Sequence, residues 1–141
     1  LLLSDDEGMT NNLIRAHTKS GKSQLAVMEV NDPSISSYGV VELDQDRQTI
    51  IGLVEKPNFE SAPSNLASIG RYVLTPDIFH ILRNQRPGSG GEIQLADAIH
   101  TIATTDRVEK VLLIGERFDC GSMEGYVKGF SYVANLESKT R

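Results

Sequence analysis

Each end of this chain alternates strand and helix, and the stretch between reads as a hairpin. Leu1–Leu3 is an apolar run ending in an acidic turn. Asn11–Ser20 carries Leu13, Ile14 and Ala16 at helical spacing and stops at Lys19-Ser20-Gly21, a cation followed by a glycine. Gln24–Val30 is a strand and Asn31-Asp32-Pro33-Ser34 a turn. Tyr38–Leu43 and Thr49–Val54, joined by Asp44-Gln45-Asp46-Arg47, form the hairpin, and Leu66–Leu74 is a further strand. Thr75-Pro76-Asp77 opens a helix with a hydroxyl cap, a proline and an acid. Glu92–Ala103 is another helix, Val108–Ile114 a strand, and Met123–Asn135 a last helix whose Tyr126, Val127 and Phe130 are expected to face the core. That order predicts an α/β fold with a mixed sheet.

At 141 residues, one domain burying about two-thirds of its unfolded surface is expected. The net charge of −5 argues against nucleic acid as a partner. No apolar run is long enough to span a membrane. A lone cysteine, Cys120, rules out an internal disulfide framework and fits a reducing, cytoplasmic setting; it is expected to be a small buried hydrophobe. With no starting methionine and a run of leucines first, the chain reads as a fragment that begins inside a core strand.

The chemistry concentrates where Ile51-Gly52-Leu53-Val54 runs into Glu55-Lys56-Pro57. Neighbours in a strand point to opposite faces, so Glu55 and Lys56 converge on one ligand only where the strand bends away. A carboxylate accepts from hydroxyls and an ammonium suits phosphate, although the same pair also describes a surface ion pair at a strand end. Gly39 and Gly70 interrupt strand patterns, which implies a bulge or the close approach of another group. Asp5 follows the first strand and Asp119 lies between a strand and a helix. Each has the setting of a divalent-metal ligand, and the first equally that of an acid at a helix N-terminus. His17, His80 and His100 fall in separate helices, which disfavours zinc and a histidine triad. Pro87-Gly88-Ser89-Gly90-Gly91 lacks the spacing of a phosphate loop and reads as a linker.

Several short motifs also occur in a recognisable order. They are Tyr38-Gly39-Val40-Val41, Val54-Glu55-Lys56-Pro57, Ala62-Pro63-Ser64-Asn65-Leu66-Ala67 with Gly70-Arg71-Tyr72, Gly91-Glu92-Ile93-Gln94-Leu95 with Asp97-Ala98-Ile99, and Phe118-Asp119-Cys120-Gly121. Together they resemble the C-terminal half of the sugar-phosphate nucleotidyltransferases, uridylyl branch; the adenylyl and thymidylyl branches, or a non-catalytic sugar-nucleotide-binding module, are the alternatives. The resemblance implies a Rossmann-like three-layer fold across residues 1–141, without its N-terminal nucleotide-binding part. It also implies Mg²⁺, and a reaction of UTP with glucose 1-phosphate giving UDP-glucose and diphosphate, in a homo-oligomer. By the same resemblance Asp5 and Asp119 would hold the metal, Gly39, Glu55 and Gly70 the sugar, and Lys56 its phosphate. Glu92 and Gln94 would shape the start of their helix. Without the Gly-rich triphosphate signature, such a fragment is expected to be inactive alone.

Overall fold

The computed structural model describes residues 1–4, 8–88, 91–105 and 107–140. Among these residues seven strands and four α-helices run in the order β1 (Leu2–Ser4), α1 (Met9–Ser20), β2 (Ser23–Glu29), β3 (Gly39–Leu43), β4 (Ile50–Glu55), β5 (Leu66–Val73), α2 (Asp77–Asn84), α3 (Leu95–Ala103), β6 (Val108–Leu112), β7 (Gly115–Arg117) and α4 (Met123–Thr140). Short 3₁₀ turns at Pro33–Ser37 and Phe59–Ser61 fill the connections.

Five strands form one sheet in the order β4-β3-β5-β2-β6. Only the β2–β6 pairing is parallel, so the sheet is mixed, as the sequence pattern predicts. β2 lies between two partners and is apolar on both faces. Leu25 and Val27 pack with Ile78 of α2 and with Ile99 and Ile102 of α3, whereas the intervening Ala26 packs with Met9 and Leu13 of α1. Period-two alternation thus places helices on both sides of the sheet, in three layers. Each fully buried leucine or isoleucine contributes about 1.5–3 kcal/mol by leaving water.

The ends of this sheet are tied down. The Leu53 N–H on β4 donates to His100 Nδ1 of α3 at 3.2 Å. At the other margin Thr49, just ahead of β4, bridges to Glu109 of β6. Gln48 reinforces the contact: its carbonyl accepts from Lys110 N–H at 3.1 Å and its Nε2 donates to the Lys110 carbonyl at 2.8 Å. The sheet therefore curls until its first and last strands meet.

Several expectations need correction. Leu1–Leu3 is not a strand of the main sheet: β1 pairs with β7 and Leu1 is 49% exposed, although Leu2 packs against the core cluster of Met9, Leu13 and Ala26. β6 stops at Leu112, and the chain turns at Gly115, with φ 139°, into the unforeseen three-residue β7. α3 begins at Leu95 rather than Glu92. The carbonyls of Glu92 and Gln94 instead accept from Gly88 N–H and Gln85 Nε2, both at 2.9 Å, which holds that segment as a loop. Thr75 does not cap α2. Its backbone N–H donates to Ser23 Oγ at 3.0 Å, which ties the end of β5 to the start of β2. α4 is longer than expected and turned outward, with Met123 79% and Phe130 68% exposed and Tyr126 and Val127 exposed beside them. Cys120 is exposed too, because it sits in the turn ahead of α4.

Candidate functional site: a cavity at the end of the hairpin

β3 and β4 pair antiparallel with Gly39 opposite Glu55. A Cβ on Gly39 would lie 3.1 Å from Glu55 Oε2 and 3.3 Å from Leu53 Cδ1. Glycine at 39 thus leaves room for the Glu55 carboxylate to fold back over the strand, and the group approaching this backbone is Glu55 itself. β5 contributes the next wall. Between Ser68 and Tyr72 it carries three residues against the single Ala26 of β2, a bulge centred on Gly70 at φ 72°. A Cβ there would meet open space, so glycine is required at 70 by backbone conformation and not by crowding.

These features converge on a cavity of about 290 Å³ whose walls include Tyr38, Gly39, Glu55, Gly70, Tyr72 and Arg117. Three residues singled out from the sequence, Gly39, Glu55 and Gly70, share this cavity. Lys56 is not on its wall. β4 ends at Glu55 and Lys56 turns away with φ 47°, its N–H donating to the Tyr38 carbonyl at 3.0 Å. The strand therefore bends at this pair, and the bend leaves Glu55 facing the cavity.

Arg117 was not legible in advance. It lies on β7, laid across the Tyr38 ring with its guanidinium carbon 5.1 Å from the ring centre. Its Nη1 donates to Tyr38 Oη at 3.0 Å. The available signal was its position two residues ahead of Asp119, a residue already singled out. The Glu55 carboxylate forms no hydrogen bond with any described residue, and Arg117 forms no ion pair with one. The cavity thus presents a free acceptor and a cation with unused donors.

Asp119 lies in the exposed turn between β7 and α4. Its Oδ1 accepts from Gly121 N–H at 3.0 Å, and its carbonyl accepts from Ser122 N–H at 3.3 Å and Ser122 Oγ at 3.2 Å. Gly125 fixes α4 against this turn, because a Cβ there would fall 2.0 Å from the Asp119 carbonyl oxygen. Asp5 lies outside the described residues. β1 runs antiparallel to β7, with Ser4 opposite Gly115 and Leu2 opposite Arg117. No group of three or more His, Cys, Asp or Glu side chains that could hold a metal occurs among the described residues. Magnesium takes hard oxygen donors, often one or two carboxylates completed by water and substrate phosphate, so Asp119 fits as a single ligand.

Residues 1–135 match the family model described as nucleotidyl transferase. The chain belongs to that family. This nucleotidyl transferase chain is 40% identical to a UTP–glucose-1-phosphate uridylyltransferase of Pseudomonas aeruginosa, covering 94% of this chain and 51% of the relative. Its fold matches the crystal structure of an apo UDP-glucose pyrophosphorylase with a TM-score of 0.87 at 40% identity, covering 97% of this chain and 52% of that one. A UDP-glucose pyrophosphorylase complexed with UDP-glucose matches with a TM-score of 0.82 at 40% identity, over 99% of this chain and 53% of that one. The chain is thus a homologue of the uridylyltransferases and spans about half the length of the relatives it matches. No described helix is long and apolar enough to cross a membrane.

Proposed function

We propose that this chain is the sugar-phosphate-binding half of a UTP–glucose-1-phosphate uridylyltransferase, the C-terminal half of its nucleotidyltransferase domain. The observation that carries this reading is the cavity shared by Gly39, Glu55 and Gly70. Glu55, without a partner among the described residues, accepts from glucose hydroxyls. Gly39 and Gly70 offer their backbone N–H groups to the sugar. Lys56, at the rim, holds the phosphate. Asp5 and Asp119 would hold Mg²⁺, which when bound supplies charge neutralisation on the phosphates. The protein's own part is to hold the glucose 1-phosphate oxygen in line with the α-phosphorus of UTP. A new P–O bond forms there as the bond to the β-phosphate oxygen breaks, and diphosphate leaves. No covalent protein intermediate is involved. The complete enzyme acts as a homo-oligomer, and these 141 residues by themselves bind without turnover, because in-line attack needs both reactants held together.

Titration calorimetry of the 141-residue chain tests the reading. Glucose 1-phosphate and UDP-glucose should bind, and Glu55→Gln should weaken both about tenfold, in line with the loss of a charge-assisted hydrogen bond. Equal affinity in parent and variant, or UDP-glucose synthesis by the chain alone at the rate of the complete relatives, would overturn it.

A further inference from the structure

A second cavity of about 440 Å³ opens beside the first, walled by Met28, Glu29 and residues 112–117. Among the described residues Arg117 is the only one that lines both. Its guanidinium lies over the Tyr38 ring, and among the described residues only Nη1 has an acceptor, the neutral Tyr38 hydroxyl. Three constraints meet in this one side chain. A cation over an aromatic face is held there by the electrostatics of the ring. Engagement with a neutral hydroxyl leaves its charge unneutralised by any described carboxylate. Its position at the boundary sets it between the cavity that carries Glu55 and the larger one next door.

We infer that Arg117 is a further anion-binding residue of this site beside Lys56, contacting the phosphate that joins a sugar in the Glu55 cavity to whatever occupies the neighbouring one. A guanidinium presents parallel N–H donors that match two oxygens of a phosphate, which a lysine ammonium cannot do. Tyr38 then acts as a positioning residue: its carbonyl receives Lys56 N–H and its ring supports Arg117, so one residue aligns both cations. This rests on the assignment of the Glu55 cavity to the sugar. It adds a second cation, on the cavity wall itself, to the phosphate role given to Lys56.

The test is a titration of the 141-residue chain and its variants, followed by NMR, with glucose 1-phosphate, glucose and inorganic phosphate as probes. Arg117→Ala should cut affinity for glucose 1-phosphate tenfold or more and abolish its advantage over glucose, while glucose binding stays within about twofold. Arg117→Lys should recover only part of the loss, and Tyr38→Phe, which keeps the ring, should retain most of the binding. A merely structural role for Arg117 would weaken glucose and glucose 1-phosphate alike, and that result overturns the inference. So does loss of phosphate selectivity in Lys56→Ala with Arg117→Ala unaffected, a result that leaves the sugar assignment standing. A parent chain with no preference for glucose 1-phosphate over glucose overturns both.

Discussion

Lys56 and Gly70 both have a left-handed backbone, and they differ in what that costs. A side chain in this region is unfavourable by about 1–2 kcal/mol, because Cβ crowds the carbonyl that follows. Gly70 avoids that cost. Lys56 accepts it at φ 47°, directly before Pro57, at the point where β4 ends beside the cavity. An ammonium retained at a strained position next to a site fits the general tendency of strain to gather where ligands bind. Because a Cβ on Gly70 meets open space, Gly70→Ala isolates the backbone contribution. It should lower the urea-unfolding free energy by about 1–2 kcal/mol, and Gly70→Asn, which tolerates this conformation, should recover part of the loss. An alanine variant as stable as the parent would mean that the bulge relaxes to an ordinary strand. From sequence, Gly39 and Gly70 were marked only as exceptions to a strand pattern. The structure separates them, one yielding space to the Glu55 side chain and the other supplying a turn of the backbone.

The β3–β4 hairpin is held at its tip by Asp46. Its Oδ1 accepts from Gln48 N–H and Thr49 N–H, both at 2.9 Å, and its Oδ2 from Thr49 Oγ1 at 2.7 Å. These bonds, the Thr49 N–H first among them, hold the carboxyl below the usual aspartate value of about 3.9. A carboxylate whose folded pKa is depressed adds stability that is fully present above the unfolded value and lost as pH falls through the folded one. Asp46→Asn should therefore lower the thermal midpoint at pH 7, and the gap to the parent should close as pH drops below about 3.9. A gap that persists undiminished at about pH 2 would show that the carboxylate charge is not its source. Since Thr49 also bridges to Glu109, the same tip closes the curled sheet. The hairpin itself was plain in the sequence, because two apolar runs flank a polar tetrapeptide. That its tip reaches β6 was not, because contacts sixty residues apart leave no local pattern.

Over the whole molecule, periodicity revealed which residues of α4 are apolar but not what covers them. Met123, Tyr126, Val127 and Phe130 share one face, and in this chain that face is open. The opposite side seats Gly125 and Gly129 against the Asp119 turn and Phe118. The same gap between pattern and placement hid β7, too short for alternation to register, and with it Arg117. The α/β class with its mixed sheet was legible, and Gly39, Glu55 and Gly70, which share the cavity wall, were marked by local pattern and motif order. An apolar stripe of this kind on a chain with net charge −5 should bind a hydrophobic-surface dye at neutral pH. Phe130→Ser combined with Val127→Ser should reduce the dye signal at least twofold and raise the concentration at which the chain self-associates in light scattering. An unchanged signal would place the adhesive surface elsewhere.

The curl of the five-stranded sheet bears on how such association proceeds. With the Leu53 N–H taken by His100, and the free side of β6 occupied by Gln48 and Thr49, that sheet offers little ladder for a foreign backbone to zip onto. Crowded solutions should therefore give reversible, amorphous clusters joined through side chains, and not ordered fibrils that grow strand by strand.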